Sequence, residues 1–157
     1  CRYLSGCILM RHRLGLLPFI VLIISLFSPA LGFDSFEIID HRQKEMNVAQ
    51  TLTRDINAKL LVNDLTGALT SAQKIVNWSR NLRQLFPEGS EASVQNLSSA
   101  SSDIWENPKA FQKAINTSEK TATDLFNALS EGQLENAKAI GSRLPLTCSA
   151  CHQRFRN

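Results

Sequence analysis

The feature that most limits what this chain can become is a five-residue run near its end, Cys148-Ser149-Ala150-Cys151-His152. Two thiols three residues apart, followed directly by an imidazole, have the spacing of covalent haem c attachment. On a helix, positions i, i+3 and i+4 share one face, so both sulfurs and the imidazole can meet the same edge of a porphyrin. The thiols add across its vinyl groups and the imidazole ligates the iron. The motif therefore predicts one covalent haem c, tethered by Cys148 and Cys151, with His152 as an axial iron ligand.

Three other chemistries compete for these residues. A redox-active dithiol is expected near the start of a helix in a βαβ setting that lowers a thiol pKa, and no such setting is legible here. A zinc site needs a fourth ligand, for which His41 is the only other histidine beyond residue 32. A buried cysteine pair or a disulfide beside an incidental histidine is the structural alternative.

The front of the chain reads differently from the rest. After Met10 come Arg11, His12 and Arg13, an apolar stretch from Leu14 to Phe27, and small residues at Ala30 and Gly32. This is the plan of a secretory signal peptide, with cleavage expected after Gly32. An uncleaved anchor is the competing reading, because no charge falls between Arg13 and Asp34, and membrane attachment results only if the segment is retained. The nine residues before Met10, including Cys1 and Cys7, resemble an upstream start choice. The expected organisation is thus residues 1–32 as leader and 33–157 as one domain, exported to the periplasm.

Setting the leader aside removes Arg2, Arg11 and Arg13, leaving 14 basic side chains against 14 acidic ones. Neutrality argues against nucleic acid as a partner, because that binding is driven by phosphate neutralisation. Only Cys148 and Cys151 remain of the four cysteines, so a disulfide framework is excluded as a source of stability.

Helical periodicity dominates the chain beyond the leader. The first helix is expected from about Asp34 to Leu60, with Ile39, Met46, Ala49, Thr53, Ile56 and Leu60 along one face. A second starts near Asn63 or Asp64, carries Ala68, Ala72, Ile75, Val76, Leu82, Leu85 and Phe86, and ends at Pro87 and Gly89. Residues 88–102 show no apolar period and read as an exposed crossover loop, closed by Asp103, Ile104 and Trp105. Asn107-Pro108 is a capped helix start, opening a third helix through Phe111, Ile115, Ala122, Leu125 and Leu129 to Gly132. The fourth runs from Leu134 through the motif to Phe155, with a bend expected at Pro145. These segments predict an all-α fold, an antiparallel four-helix bundle.

The chain resembles the class II c-type cytochromes, the cytochrome c′ family, from about Phe33 to Asn157. The resemblance is carried by Cys148-x-x-Cys151-His152-x-x-Phe155-Arg156, by His41-Arg42-Gln43-x-x-Met46, by Trp78 ahead of Phe86-Pro87-x-Gly89, and by Ile104-Trp105. It implies His152 as proximal ligand and Met46 as the side chain over the opposite face. Arg42, one turn before Met46, is then a candidate partner of a haem propionate, and Arg156, one turn past His152, a candidate contact on the proximal face.

Two mechanisms divide at Met46. If its sulfur bonds iron, the haem is six-coordinate and suits electron transfer, because a thioether favours the ferrous state. If it only packs nearby, iron is five-coordinate and binds small gases such as NO or CO. The expected function is a periplasmic monohaem electron carrier ligated by His152 and Met46, with gas binding as the alternative. Its partners would be periplasmic redox proteins. Homodimers, frequent in such families, would use the outer faces of the first two helices. Enzyme action is not expected, since no acid, base or nucleophile accompanies the motif.

Overall fold

The computed structural model describes residues 35–93 and 96–157, and the leader assigned to residues 1–32 lies outside them. Four long helices carry the fold: α1 (Ser35–Leu61), α2 (Leu65–Asn81), α4 (Pro108–Ser130) and α5 (Leu134–Phe155), with a one-turn α3 (Asp103–Glu106) ahead of α4. Among the described residues there is no β-strand, only an isolated antiparallel bridge between Ala100 and Arg156. No helix among them is long and apolar enough to cross a membrane.

Two three-residue turns reverse the chain by the same device. After α1, Asn63 takes the left-handed conformation (φ +60°), its N–H donates to Leu60 O at 3.2 Å, and the Asp64 N–H donates to Lys59 O at 2.9 Å. After α4, Gly132 (φ +71°) and Gln133 repeat the pair of bonds to Leu129 O and Ala128 O. Both are Schellman closures, which satisfy carbonyls that a helix end otherwise leaves unpaired. Asp64 then caps α2, its carboxylate accepting from the Gly67 N–H at 2.9 Å.

The short turns make α1–α2 and α4–α5 antiparallel pairs; α1 also packs on α5 and α2 on α4, closing the predicted bundle. The α1–α5 contact is close, since a Cβ placed on Gly141 would lie 2.8 Å from Leu60 Cδ1. The buried side chains form two groups. One fills the end with the turns, through Ile56, Leu60, Ala72, Ile75, Leu125 and Ile140. The other, smaller group of Leu82, Ala100, Ile104, Phe111, Ile115 and Phe155 lies toward the opposite end.

The structure departs from the sequence expectations at three places. The α-helical part of α2 stops at Asn81 and tightens into a 3-10 turn over Leu82–Leu85, as suits a chain about to meet Pro87, which disfavours α geometry at Phe86. The crossover is not simply exposed: Ser90 is 1 % and Ala100 6 % accessible. Asn107 makes no side-chain cap for α4, because its amide donates to the Asp103 carboxylate instead. As expected, α5 continues through Pro145 to Phe155.

Truncating Ile56, which is fully buried, to Ala should lower unfolding free energy by about 2–5 kcal/mol. Asp64→Ala, which removes only a cap, should cost about 1 kcal/mol. Urea melts of the two variants check the contrast.

Candidate functional site

Helix α5 presents Cys148, Cys151, His152 and Phe155 to the end of the bundle opposite the short turns. Both thiols are free and half-buried. Burial pushes the Cys148 thiol up, and burial together with Cys148 pushes Cys151 up to about 11. His152 faces solvent, yet partial burial and then the positive charge of Arg156 lower its pKa. Both effects favour the neutral imidazole, the form that offers a lone pair to a metal.

In front of this face lies a cavity of about 610 Å³, bounded by Met46 of α1, Trp78 of α2, Phe86, and Phe111 and Ile115 of α4. Its size is within the range of roughly 300–1,000 Å³ usual for cofactor sites. Phe111 stands edge-on to Phe86 at 4.9 Å and to Phe155 at 5.1 Å, so a run of three rings ties the crossover, α4 and α5 together. Met46 is partly buried and packs against the same aromatic group.

Trp78 also lines the cavity. The Trp78 Nε1 is buried and has no hydrogen-bond partner in the protein. Among the described residues no group of three or more His, Cys, Asp or Glu is placed to hold a metal ion by itself. The donor set of two thiols and one imidazole beside an apolar cavity instead fits a planar group that bonds to the thiols and brings its own iron.

Arg42 lines the cavity but is not the solvated or freely available arginine that its sequence position allows. Only 5 % of it is accessible. Its Nη1 donates to Ser90 Oγ at 2.8 Å and Leu85 O at 3.2 Å, and its Nη2 to Ser90 O and Ser98 Oγ, each at 2.8 Å. The guanidinium also lies 4.8 Å from the Phe86 ring centroid. Both terminal nitrogens are thus engaged by the crossover. Sequence reasoning did not find Ser90 and Ser98, since two serines in an aperiodic loop carry no signal of what they bind.

The crossover grips α5 as well. The Ser101 N–H donates to Phe155 O at 3.0 Å and the Asn157 N–H to Ser99 O at 2.9 Å, on either side of the Ala100–Arg156 bridge. Arg156 itself is exposed at the cavity edge. Arg154, its neighbour but one, is paired with Asp103 at 2.6 Å.

An all-helical bundle with this donor set at one end has the architecture of a c-type haem protein. The family model described as Cytochrome C′ matches residues 37–156, and the chain belongs to that family. Its cofactor is accordingly one covalent haem c. A curated cytochrome c′ from Rhodospirillum rubrum is 32 % identical over 88 residues, which cover 54 % of this chain and 56 % of the relative, so the match spans just over half of that protein. Among solved structures, cytochrome c′ from Rubrivivax gelatinosus superposes with a TM-score of 0.69 at 17 % identity, covering 78 % of this chain and 97 % of that one. A cytochrome c′ described as having ligand-controlled dimer dissociation gives 0.71 at 18 % identity, covering 80 % and 98 %. A nitric oxide complex of a variant of the Alcaligenes xylosoxidans protein gives 0.68 at 17 %, covering 77 % and 94 %. These likenesses show the fold.

Two outcomes are expected of the site. Arg42→Leu should lower stability by about 3 kcal/mol, because it strips a buried network of its charged donor, and should open residues 88–99 to limited proteolysis; Arg42→Lys, lacking the fork, should recover less than half of the loss. In haem-free protein, thiol alkylation should be slow at neutral pH and rise about tenfold per pH unit toward about 11. The raised thiol pKa contributes stability that is complete below the ordinary thiol value of about 8.5 and is lost as pH climbs through the folded value. An alkylation plateau near pH 8.5 would contradict the burial.

Proposed function

We propose that this chain is a periplasmic haem c protein that binds small uncharged gases such as NO or CO at a five-coordinate iron. In this reading Cys148 and Cys151 form the thioether links, His152 is the protein ligand to iron, and Met46 packs over the open face without bonding the metal. When bound, haem c supplies an iron that cycles between ferric and ferrous and accepts a diatomic in the ferrous state.

The observation that carries the reading is the character of the wall opposite α5. Met46, Ala49, Leu82 and Phe86 line it with hydrocarbon, sulfur and aromatic surface. Two of its polar groups are engaged elsewhere: the Thr53 hydroxyl donates to Ala49 O at 2.9 Å, and the Arg42 terminal nitrogens hold the crossover, while Asn47, Gln50 and Arg54 of α1 also line the cavity. Such a wall accepts an uncharged diatomic. It gives no acid or base to help cleave an O–O bond, so the chain acts as a binder and not as a peroxidase.

Family members are periplasmic, and the signal-like stretch of residues 10–32 supports the same location here. The relative with ligand-controlled dimer dissociation supports a homodimer through the outer faces of α1 and α2, where Val48 is exposed. A second reading, six-coordinate electron transfer, is favoured by one observation: Met46 lines the same cavity as His152, from the helix that faces α5.

Absorption and magnetic circular dichroism of the ferric holoprotein separate the two. High-spin iron, CO and NO binding to the ferrous form, and an unchanged ferric spectrum in Met46→Leu are expected. A sulfur-to-iron band that disappears in Met46→Leu overturns gas binding in favour of electron transfer. Pyridine haemochrome spectra of Cys148→Ser and Cys151→Ser should each report one thioether in place of two.

A further inference from the structure

Although basic and acidic side chains balance beyond residue 32, they are not evenly spread. From Asn136 to Asn157 the chain holds Lys138, Arg143, Arg154 and Arg156 and no carboxylate side chain. Among the described residues, no Asp or Glu lines the cavity either.

The cavity opens between flanks of α1 and α5. Asn47, Gln50 and Arg54 succeed one another at three- and four-residue steps, which puts them on one edge of α1; Pro145 and Ser149 keep the same register on α5, and Arg156, the extended residue that follows the helix, lines the same cavity. Gly141 lies against Leu60 and Asn57, so the first half of α5 meets the last part of α1 and the two helices run in opposite directions. Arg54 accordingly marks the Pro145 end of the slot and Arg156 the other. Roughly eleven residues of helix put the ends about 16 Å apart. Both arginines are exposed, and neither has an ion-pair partner among the described residues, whereas Arg154 is paired with Asp103. Beside the slot Leu146 is 63 % exposed.

We infer that this slot, with Arg54 and Arg156 at its ends and Leu146 beside it, docks the acidic face of a protein that donates one electron to the haem. The inference rests on the gas-binding reading, which needs ferrous iron and therefore a reductant. One electron leaves the partner and ferric iron becomes ferrous; no bond forms or breaks and no proton moves. Two separated cations orient a partner better than one. The neutral amides between them repel nothing, and an exposed leucine supplies apolar contact beside the charges.

The test is stopped-flow reduction of the ferric holoprotein by reduced flavodoxin, used as an acidic one-electron probe, and by a neutral reduced flavin. With flavodoxin the rate constant should fall about tenfold or more between low and high ionic strength. At low salt it should fall about threefold to tenfold in Arg54→Gln, fall further in Arg54→Glu, and recover in Arg54→Lys. Reduction by the neutral flavin and CO binding should not change in these variants. The inference is overturned if flavodoxin reduction is insensitive to salt, or if Arg54→Glu leaves it unchanged. It is also overturned if both reductants slow equally, which would assign Arg54 to the cofactor instead. Salt and charge effects that persist in a protein unable to bind CO would uphold docking while removing gas binding.

Discussion

The arrangement of the haem end depends on one guanidinium held out of water. Burying Arg42 without partners would be prohibitive, and the structure meets that demand with four acceptors drawn from Leu85, Ser90 and Ser98. Three of those acceptors, on Ser90 and Ser98, lie on a crossover with almost no apolar surface of its own. The charge thus gives an otherwise unsupported segment a fixed path, and that path carries Phe86 to the cavity wall and Ala100 to the tail of α5. The phenyl ring above the guanidinium and the edge-on contacts to Phe111 and Phe155 continue the same connection across the bundle.

The buried side chains divide into two apolar groups. At the end with short turns, small and branched side chains fill the centre, α1 and α5 approach at Gly141, and the packing needs nothing from outside the chain. At the other end the aromatic group surrounds a space that protein atoms leave open, and the buried Trp78 N–H lacks an acceptor. One half of the molecule holds the fold, while the other keeps a shaped opening against the two thiols and the imidazole. An apolar wall supported by a sealed core can remain open without collapsing, because close-packed interiors have low compressibility.

Much of this was legible in the residues, for identifiable reasons. Long segments with a sustained 3.6 period give helices, and four of them with two short connections leave few ways to close. The placement of Cys148, Cys151 and His152 on one face results from their spacing alone. Met46 could be placed on the inward stripe of α1, but whether its sulfur bonds iron depends on fractions of an ångström that periodicity does not carry. Arg42 was harder: its side chain is long, and its partners lie 48 and 56 residues away in an aperiodic stretch. Asn107 failed as a cap because Asp103, a turn earlier, captured its amide. The Arg42 partners lay outside any local window, whereas the Asn107 partner lay one turn away and simply competed with the cap.

The half-buried, helical setting of the two thiols bears on biogenesis. Within the finished bundle the sulfurs are protonated and backed by packed helices, while the tail of α5 is hooked by the crossover. A maturation enzyme that must grasp an extended peptide finds neither cysteine on offer once that hook has formed. Thioether formation is therefore easier before the last helix closes than after it.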